Sequence, residues 1–537
     1  MEAGSVRQFN ARHISGQNEA ARQNLQPEGK EVKSTPAAKI ELTSESASTP
    51  VPSVSWQIGR SGGGSGWPGP RWLGWRAIAA LFGGLILRLW MLSAFPQDNG
   101  DALIYGGIAR NIVLHGAFAI TDGSGVIHST LIRLPGYPLF LALCFRLFGV
   151  ANYNAVAYLQ IFLELFACLL LADFVRHIST PRAGLNALWL AAMCPFTAVY
   201  ASAPLTESLT FDAICLALWS LERYLSRMSR GKSEPGRGAW NALGLFTLAI
   251  SFAALLRPDG ALLAFALWPA LLLSSRQNGV GFRPVLRNAL RNALLCAVIS
   301  VLPFAVWMAR NWRAFHVIEP LAPRYANDPG EDPHLGWQHW VKTWCLDFSC
   351  TYQIYWNVPD NTIEVGDLPG RAFDSPAQRD QTSELIAEYN VDQEITPALD
   401  ARFEALARER AASHPLRTWV LLPAGRLADM TLRPRIENLP IDLRWWQYYA
   451  HHSETRFSVV YGLVNLVLIL LGIGGLVCRP RYWLYMVSYL LLRSLLLLTI
   501  EAPETRYTLE FLPMLFATGG IALQRIFSRR KQLQTAI

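Results

Sequence analysis

Asp101 and Tyr105 stand four residues apart in QDNGDALIYGG, just after the first long apolar run of the chain. On a helix that spacing puts both side chains on one face. A carboxylate at the end of a membrane helix is well placed to take a proton from a hydroxyl arriving from water. A second reading stands beside it: Asp101 N-caps a helix over 102–114.

Five arginines add to the pattern. Arg133, Arg257, Arg310, Arg313 and Arg506 fall at the expected outer ends of membrane helices, in RLPGYP, LLRPDG, MARNWR and PETRY. The positive-inside rule predicts a shortage of arginine there. Guanidinium groups converging at that surface would suit a phosphate in the headgroup layer. Taken one by one, each also reads as a side chain snorkelling to lipid headgroups. Acidic residues share the face: Glu207 in SAPLTESL, Glu501 and Glu504 in EAPETRY, and Asp259 after Pro258. Glu207 equally fits a helix N-terminus, where the dipole favours negative charge. Arg88, Glu164 and Arg493 interrupt apolar runs, so Glu164 is expected to pair with one of those arginines in a structural role.

Other chemistries leave no mark. No Gly-rich nucleotide loop and no metal-ligand spacing is present. His451 and His452 are adjacent rather than helically spaced, which suits a solvated pair better than a metal site. No metal site and no cofactor are therefore expected. An enzyme of this kind would draw its energy from an activated donor resident in the membrane.

The elements that must position these residues are membrane helices. The 537-residue chain is 51% hydrophobic and 16% charged, with the apolar residues gathered in long runs, which indicates a polytopic membrane protein. Its net charge of +8 lies mostly in short loops and sets topology, with no basic cluster among aromatics for nucleic acid. Residues 1–70, rich in Ser, Gln, Glu, Ala and Pro, read as a disordered cytoplasmic tail. Crossings are expected at about 75–95, 153–175, 183–200, 205–224, 239–256, 259–275, 289–311, 456–477, 482–500 and 506–527. The transmembrane module 71–315 then carries a first outer loop at 96–152, and a polar domain follows at 316–455. Membrane helices return at 456–527, before a short inner tail at 528–537.

With the N-terminal tail inside, the loops at 176–182, 222–237, 276–291, 479–481 and 525–531 are inner and basic. That alternation holds only if 134–150 does not cross, so this piece is read as re-entrant or surface-lying. Residues 378–410 have helical periodicity, and 414–432 should lie along the membrane surface, interrupted at Pro423. Cys345 and Cys350 are spaced for a disulfide across a turn, or remain free thiols.

Several short motifs recur in one order along this chain: Asp101-x-x-x-Tyr105, Arg133–Pro138 (RLPGYP), Leu205–Ser208 (LTES), Leu256–Asp259 (LRPD), Arg310–Trp312 (RNW) and Glu504–Tyr507 (ETRY) followed by Leu512-Pro513. In this the chain resembles the GT-C membrane glycosyltransferases, specifically the group like dolichyl-phosphate-mannose protein mannosyltransferases and aminoarabinose transferases. The resemblance covers about 75–527. It implies an all-α polytopic fold of ten to eleven transmembrane helices, a re-entrant or juxtamembrane segment, and a mostly helical extracytoplasmic domain.

It also implies transfer of a sugar from a polyprenyl-phosphate donor to an acceptor hydroxyl at the outer, periplasmic face of the inner membrane. The acceptor would be a glycan, a lipid or a protein, and membrane lipids would surround the enzyme. By position Asp101 is the catalytic carboxylate. Tyr105, Arg133, Tyr137, Glu207, Arg257, Arg310, Glu504, Arg506 and Tyr507 are the substrate-binding candidates. Two features depart from the family pattern. Its Asp-Glu pair is Asp101–Ala102 here, and the large outer domain lies between the seventh and eighth expected crossings rather than at the C-terminus.

Two other classes fit parts of the same pattern. A flippase for a lipid-linked sugar would share the arginines but not need Asp101, and would more often show repeated halves. A polysaccharide polymerase or ligase would also suit a large outer domain. The topology makes a direct prediction. A cysteine replacing Asp380 should be labelled by an impermeant thiol reagent from the outer side, and labelling from the cytoplasm alone would reverse the scheme.

Overall fold

The computed structural model describes residues 74–95, 100–228, 236–273, 282–449 and 451–536. The expected tail at 1–70 and parts of the loops at 222–237 and 276–291 lie outside the described residues. The chain is a mostly helical, multi-pass membrane protein. Among the described residues, six helices are long and apolar enough to span: Trp75–Ala94, Tyr153–Ile178, Arg237–Leu256, Leu290–Phe315, His452–Val477 and Thr505–Arg529. A seventh span forms if Pro181–Ala192 and Pro195–Ala201, bent by 56° at Met193–Cys194, are counted together.

Three expected crossings do not meet that length and apolarity, for separate reasons. Thr206–Met228 is long enough but carries Glu207, Asp212, Glu222, Arg223 and Arg227, and most of it is buried among other helices. The 259–275 region breaks into a 3-10 turn Pro258–Ala261 and the short helices Leu262–Leu267 and Pro269–Leu273. Trp483–Leu497 has only 15 residues, about 22 Å at 1.5 Å per residue. The last helix continues to Ala536, through the expected inner tail.

The segment read as non-crossing forms the helix Gly136–Phe148, 13 residues long. That is roughly 20 Å, short of a 30 Å hydrocarbon core. Leu139, Leu143 and Leu147 form an exposed stripe along it, while Tyr137, Leu141 and Phe145 face inward. The helix packs on Asp101–His115, whose chain continues into a two-stranded hairpin, Ala119–Thr121 with Ile127–Ser129.

Local chemistry sets the helix starts. Asn152 and Thr180 accept from the backbone N–H of Ala155 and Ala183 at the starts of Tyr153–Ile178 and Pro181–Ala192. Ser375 and Thr396 do the same for Pro376–Asp392 and Pro397–Ser413, each with proline at the first helical position. These last two helices realise the periodicity at 378–410. They carry a separate core in which Trp337, Trp340, Trp344, Leu385, Tyr389, Leu399, Phe403 and Leu406 are buried. Within 414–432, Leu416, Trp419, Val420 and Leu421 are exposed together. Pro423 follows directly on the π turn Arg417–Leu421, so the helical run through 432 changes its hydrogen-bond pattern there.

Inside the membrane module, Arg88 finds Glu164, as its position in an apolar run demanded. Arg88 Nη2 lies 2.5 Å from Glu164 Oε1, and both side chains are fully enclosed. Arg88 also donates to the Ala192 carbonyl at 2.6 Å, at the bend in the broken span. Ser208 donates to the other Glu164 oxygen. Removing one ion of such a pair leaves the other buried and unpaired, at a cost of roughly 3–5 kcal/mol. Arg88→Met should therefore lower the thermal midpoint sharply in detergent. Arg88→Met with Glu164→Leu should recover more than half the loss, and a double variant no better than the single would show that the pair itself is not what matters.

Candidate active site

Asp101 opens the helix Asp101–His115, but it is not the cap. Gly100 holds that position with φ +56°, and no side chain caps the helix. The Asp101 carboxylate instead lies between two guanidiniums. Arg133 Nη2 is 2.8 Å from Oδ1, and Arg506 Nη1 is 2.8 Å from Oδ2. Burial alone would raise the Asp101 pKa, but Arg506 and Arg133 outweigh it and hold the carboxyl well below its usual range.

The two arginines arrive by different routes. Arg133 comes from the RLPGYP turn. A Cβ on Gly136 in that turn would sit 2.6 Å from the Leu255 carbonyl oxygen, so only glycine allows this approach to the end of Arg237–Leu256. The contact brings the Arg133 segment beside the segment that bears Arg257. There, Gly260 folds the RPDG turn back so closely that a Cβ would sit 2.1 Å from the Ala253 carbonyl. Arg506 comes from the 3-10 helix Thr505–Phe511 that leads into the last span.

Behind Asp101 the charges alternate. Arg506 Nε touches Glu504 at 2.5 Å and approaches Glu207 to 3.9 Å. Glu207 accepts from Arg257 Nη1 at 2.9 Å. Arg257 Nε lies 3.3 Å from both Asp259 and Glu510. Arg493 closes the row, 2.7 Å from Asp259 and 2.6 Å from Glu510. Tyr507 donates its hydroxyl to Glu504, and its ring lies between the Arg257 and Arg506 guanidiniums at 5.5 and 5.7 Å. On the other side the Tyr105 ring meets Arg133 at 5.6 Å and the Tyr137 ring edge-on at 5.1 Å. Tyr137 is fully buried and donates to Gln160 at 2.6 Å.

Thus eight of the nine substrate-binding candidates gather around Asp101: Tyr105, Arg133, Tyr137, Glu207, Arg257, Glu504, Arg506 and Tyr507. Arg310 stands apart. Its guanidinium donates to the backbone carbonyls of Thr130 at 2.7 Å and Phe118 at 2.5 Å, among the rings of Phe118, Trp307 and Phe315. It ties the loop between Asp101–His115 and Gly136–Phe148 to its own helix. Arg493, considered as a partner for Glu164, pairs with Asp259 and Glu510 instead. Glu510 was not singled out. Its one signal was a carboxylate between apolar residues in YTLEFLP. Among the described residues, no three His, Cys, Asp or Glu side chains converge as metal ligands would.

The polar domain grips the strand of chain that carries Arg506. Arg426, fully buried, donates to the Cys345 carbonyl at 2.7 Å, to the Ile500 carbonyl at 3.1 Å, and to the Lys342 carbonyl. The Lys342 carbonyl ends the helix Leu335–Lys342, where unsatisfied oxygens favour a cation. Arg324 and Lys342 both hold Glu501 and the Thr499 carbonyl. Glu501 therefore belongs to this grip and not to the Asp101 cluster. Thr351 donates to Pro503 at 2.9 Å, and Arg435 to Thr505 at 2.8 Å and Thr508 at 2.6 Å. Cys345 and Cys350 form a disulfide between two of these anchor points.

Comparison with known proteins follows the same motifs. The model of the dolichyl-phosphate-mannose-protein mannosyltransferase family matches residues 133–307, 175 of the 537 residues. The match includes Arg133, Tyr137, Glu207 and Arg257, and over this segment the resemblance read from the motifs is borne out. No curated protein matches. Among solved structures, the chain is similar to the oligosaccharyltransferase of Archaeoglobus fulgidus tethered with an acceptor peptide. The identity is 12% and the TM-score 0.47, over 84% of this chain and 50% of that one. It is also similar to ArnT from Cupriavidus metallidurans bound to undecaprenyl phosphate. There the identity is 14% and the TM-score 0.36, over 84% of this chain and 77% of that one. The chain thus spans about half the length of the first of these.

If Arg426 is what fixes the 499–508 segment, Arg426→Met should loosen it. Charge-assisted hydrogen bonds contribute about 1.5–3 kcal/mol each, so amide exchange across 499–508 should rise at least about tenfold. The core around Trp340 and Phe403 should stay protected. Unchanged exchange in 499–508 would assign the hold to the other side chains.

Proposed function

We propose that this protein is a membrane glycosyltransferase. It would move a sugar from a polyprenyl-phosphate donor to an acceptor hydroxyl at the outer face of the inner membrane, with no metal required. The observation that carries the reading is the Asp101 carboxylate held between Arg133 and Arg506 at 2.8 Å each. It puts a proton acceptor beside guanidiniums that suit a phosphate. The match to the mannosyltransferase family model supports it, because that segment supplies Arg133, Glu207 and Arg257.

The chemistry balances with these groups alone. The acceptor oxygen attacks the anomeric carbon and its proton passes to Asp101. The bond from the anomeric carbon to the phosphate oxygen breaks, and polyprenyl phosphate leaves. Direct attack inverts the anomeric centre. The donor phosphate is a diester with one negative charge, and the product is a monoester that gains a second. Guanidiniums fixed beside it stabilise that growing charge more in the transition state than in the ground state. Tyr105 and Glu207 orient donor and acceptor. A glycan, a lipid or a protein supplies the hydroxyl.

Asp101→Asn keeps size and hydrogen-bonding capacity but cannot take the proton. Single-turnover transfer from a radiolabelled polyprenyl-phosphate sugar, with purified enzyme in nanodiscs, should fall by roughly a hundredfold or more. Thermal stability should change little. Asp101→Glu should retain little activity, because its carboxylate is displaced by a methylene. Near-normal transfer by Asp101→Asn would remove Asp101 from the mechanism and leave Glu207 and Glu504 as the candidates.

A further inference from the structure

We propose that the arginines that receive the donor phosphate also lock Asp101 while the site is empty, so that donor binding itself releases the base. This rests on the glycosyltransferase reading and adds an order of events to it.

Charge balance is the first argument. The connected cluster holds four guanidiniums, Arg133, Arg257, Arg493 and Arg506, against five carboxylates, Asp101, Glu207, Asp259, Glu504 and Glu510. Each arginine already faces at least one carboxylate. An incoming phosphate finds no unmatched guanidinium, so it must displace a carboxylate to be bound well.

Exposure decides which carboxylate yields. Asp101, Arg133 and Arg506 have side chains 24, 18 and 21% exposed. Asp259 and its partner Arg257 are 15% exposed, Glu207, Glu504 and Glu510 are 3–6% exposed, and Arg493, the other partner of Asp259, is fully enclosed. Stripping a guanidinium from a buried carboxylate leaves an unpaired charge out of water, which is strongly unfavourable. Asp101 loses far less, because solvent still reaches it. The phosphate therefore takes the outer edge of Arg133 and Arg506, and the inner pairs with Glu504 and Glu207 stay to hold Arg506 in place.

The geometry makes the exchange complete. Arg133 holds one carboxylate oxygen and Arg506 the other. Each oxygen that would accept a proton already accepts a guanidinium N–H. When the phosphate takes over the N–H groups that Arg133 and Arg506 give to Asp101, both oxygens become free, and the carboxylate faces a phosphate in place of two cations. Its affinity for a proton rises when an acceptor hydroxyl can use it. After transfer the leaving phosphate carries more charge than the donor did. It keeps the arginines until it departs, and Asp101 then closes the latch again.

The test is binding of a polyprenyl monophosphate to the full chain in nanodiscs. Asp101→Asn and Asp101→Ala should each bind it at least tenfold more tightly than wild type, because the competing carboxylate is gone. Simple loss of like-charge repulsion would also tighten binding, so a double-mutant cycle separates the two. Under the latch, Arg506→Ala costs at least about tenfold more affinity in the Asp101→Asn background than in wild type. Equal costs in the two backgrounds overturn the latch, as does unchanged or weaker binding in both folded Asp101 variants. If wild type and all variants fail to bind polyprenyl phosphate, the glycosyltransferase reading itself falls, and the latch with it.

Discussion

The ion pair between Asp101 and Arg506 joins residues 405 positions apart and is the contact on which the candidate site depends. One partner begins the helix Asp101–His115, and the other stands in the first turn of the last span, Thr505–Arg529. No local propensity brings them together. What does is a series of close backbone approaches: the Gly136 turn against Leu255, the RPDG turn against Ala253, and the 3-10 helix Thr505–Phe511 laid along Arg493. Each lets one charged side chain reach a partner of opposite sign. In a membrane protein, an unpaired charge at the enclosed positions of this row, Glu207, Glu510 and Arg493, would be strongly unfavourable. The alternating row from Arg133 to Arg493 is thus a structural requirement as well as a chemical arrangement.

Among the described residues, the polar domain at 316–455 contributes none of the charged groups paired with Asp101. Its part is mechanical. Arg324, Lys342, Thr351, Arg426 and Arg435 all donate to carbonyls of the 499–508 segment. That segment would otherwise be a short polar link between two helices, free to take several paths. A separate aromatic core stiffens the domain that holds it.

Much of this was legible in residue types alone. Arginines on the wrong side of the charge rule and carboxylates beside them marked Asp101, Arg133, Arg257, Glu207 and Arg506. Arg88 and Glu164 marked themselves by interrupting apolar runs. Arg310 carried the same signature and proved different, because its partners are carbonyls and aromatic rings, which leave no trace in a pattern of charges. Glu510 and Arg493 sit in apolar surroundings, and their pairing depends on how two late helices cross. The number of spans is hard to read from hydropathy for a related reason. A helix such as Thr206–Met228 is sheltered by its neighbours, so most of its charges face protein instead of lipid, and hydropathy cannot tell the two apart.

The long separation between Asp101 and Arg506 also bears on how the protein is made. Asp101 and Arg133 emerge from the ribosome early and can pair at once. Arg506 follows some four hundred residues later. Until then the carboxylate has one guanidinium, and Glu207 waits for both Arg257 and Arg506. A chain cut short before Arg506 would already carry most of the described spans and still leave Asp101 with one guanidinium. The pairing of Asp101 is therefore complete only once the chain through Arg506 has been made.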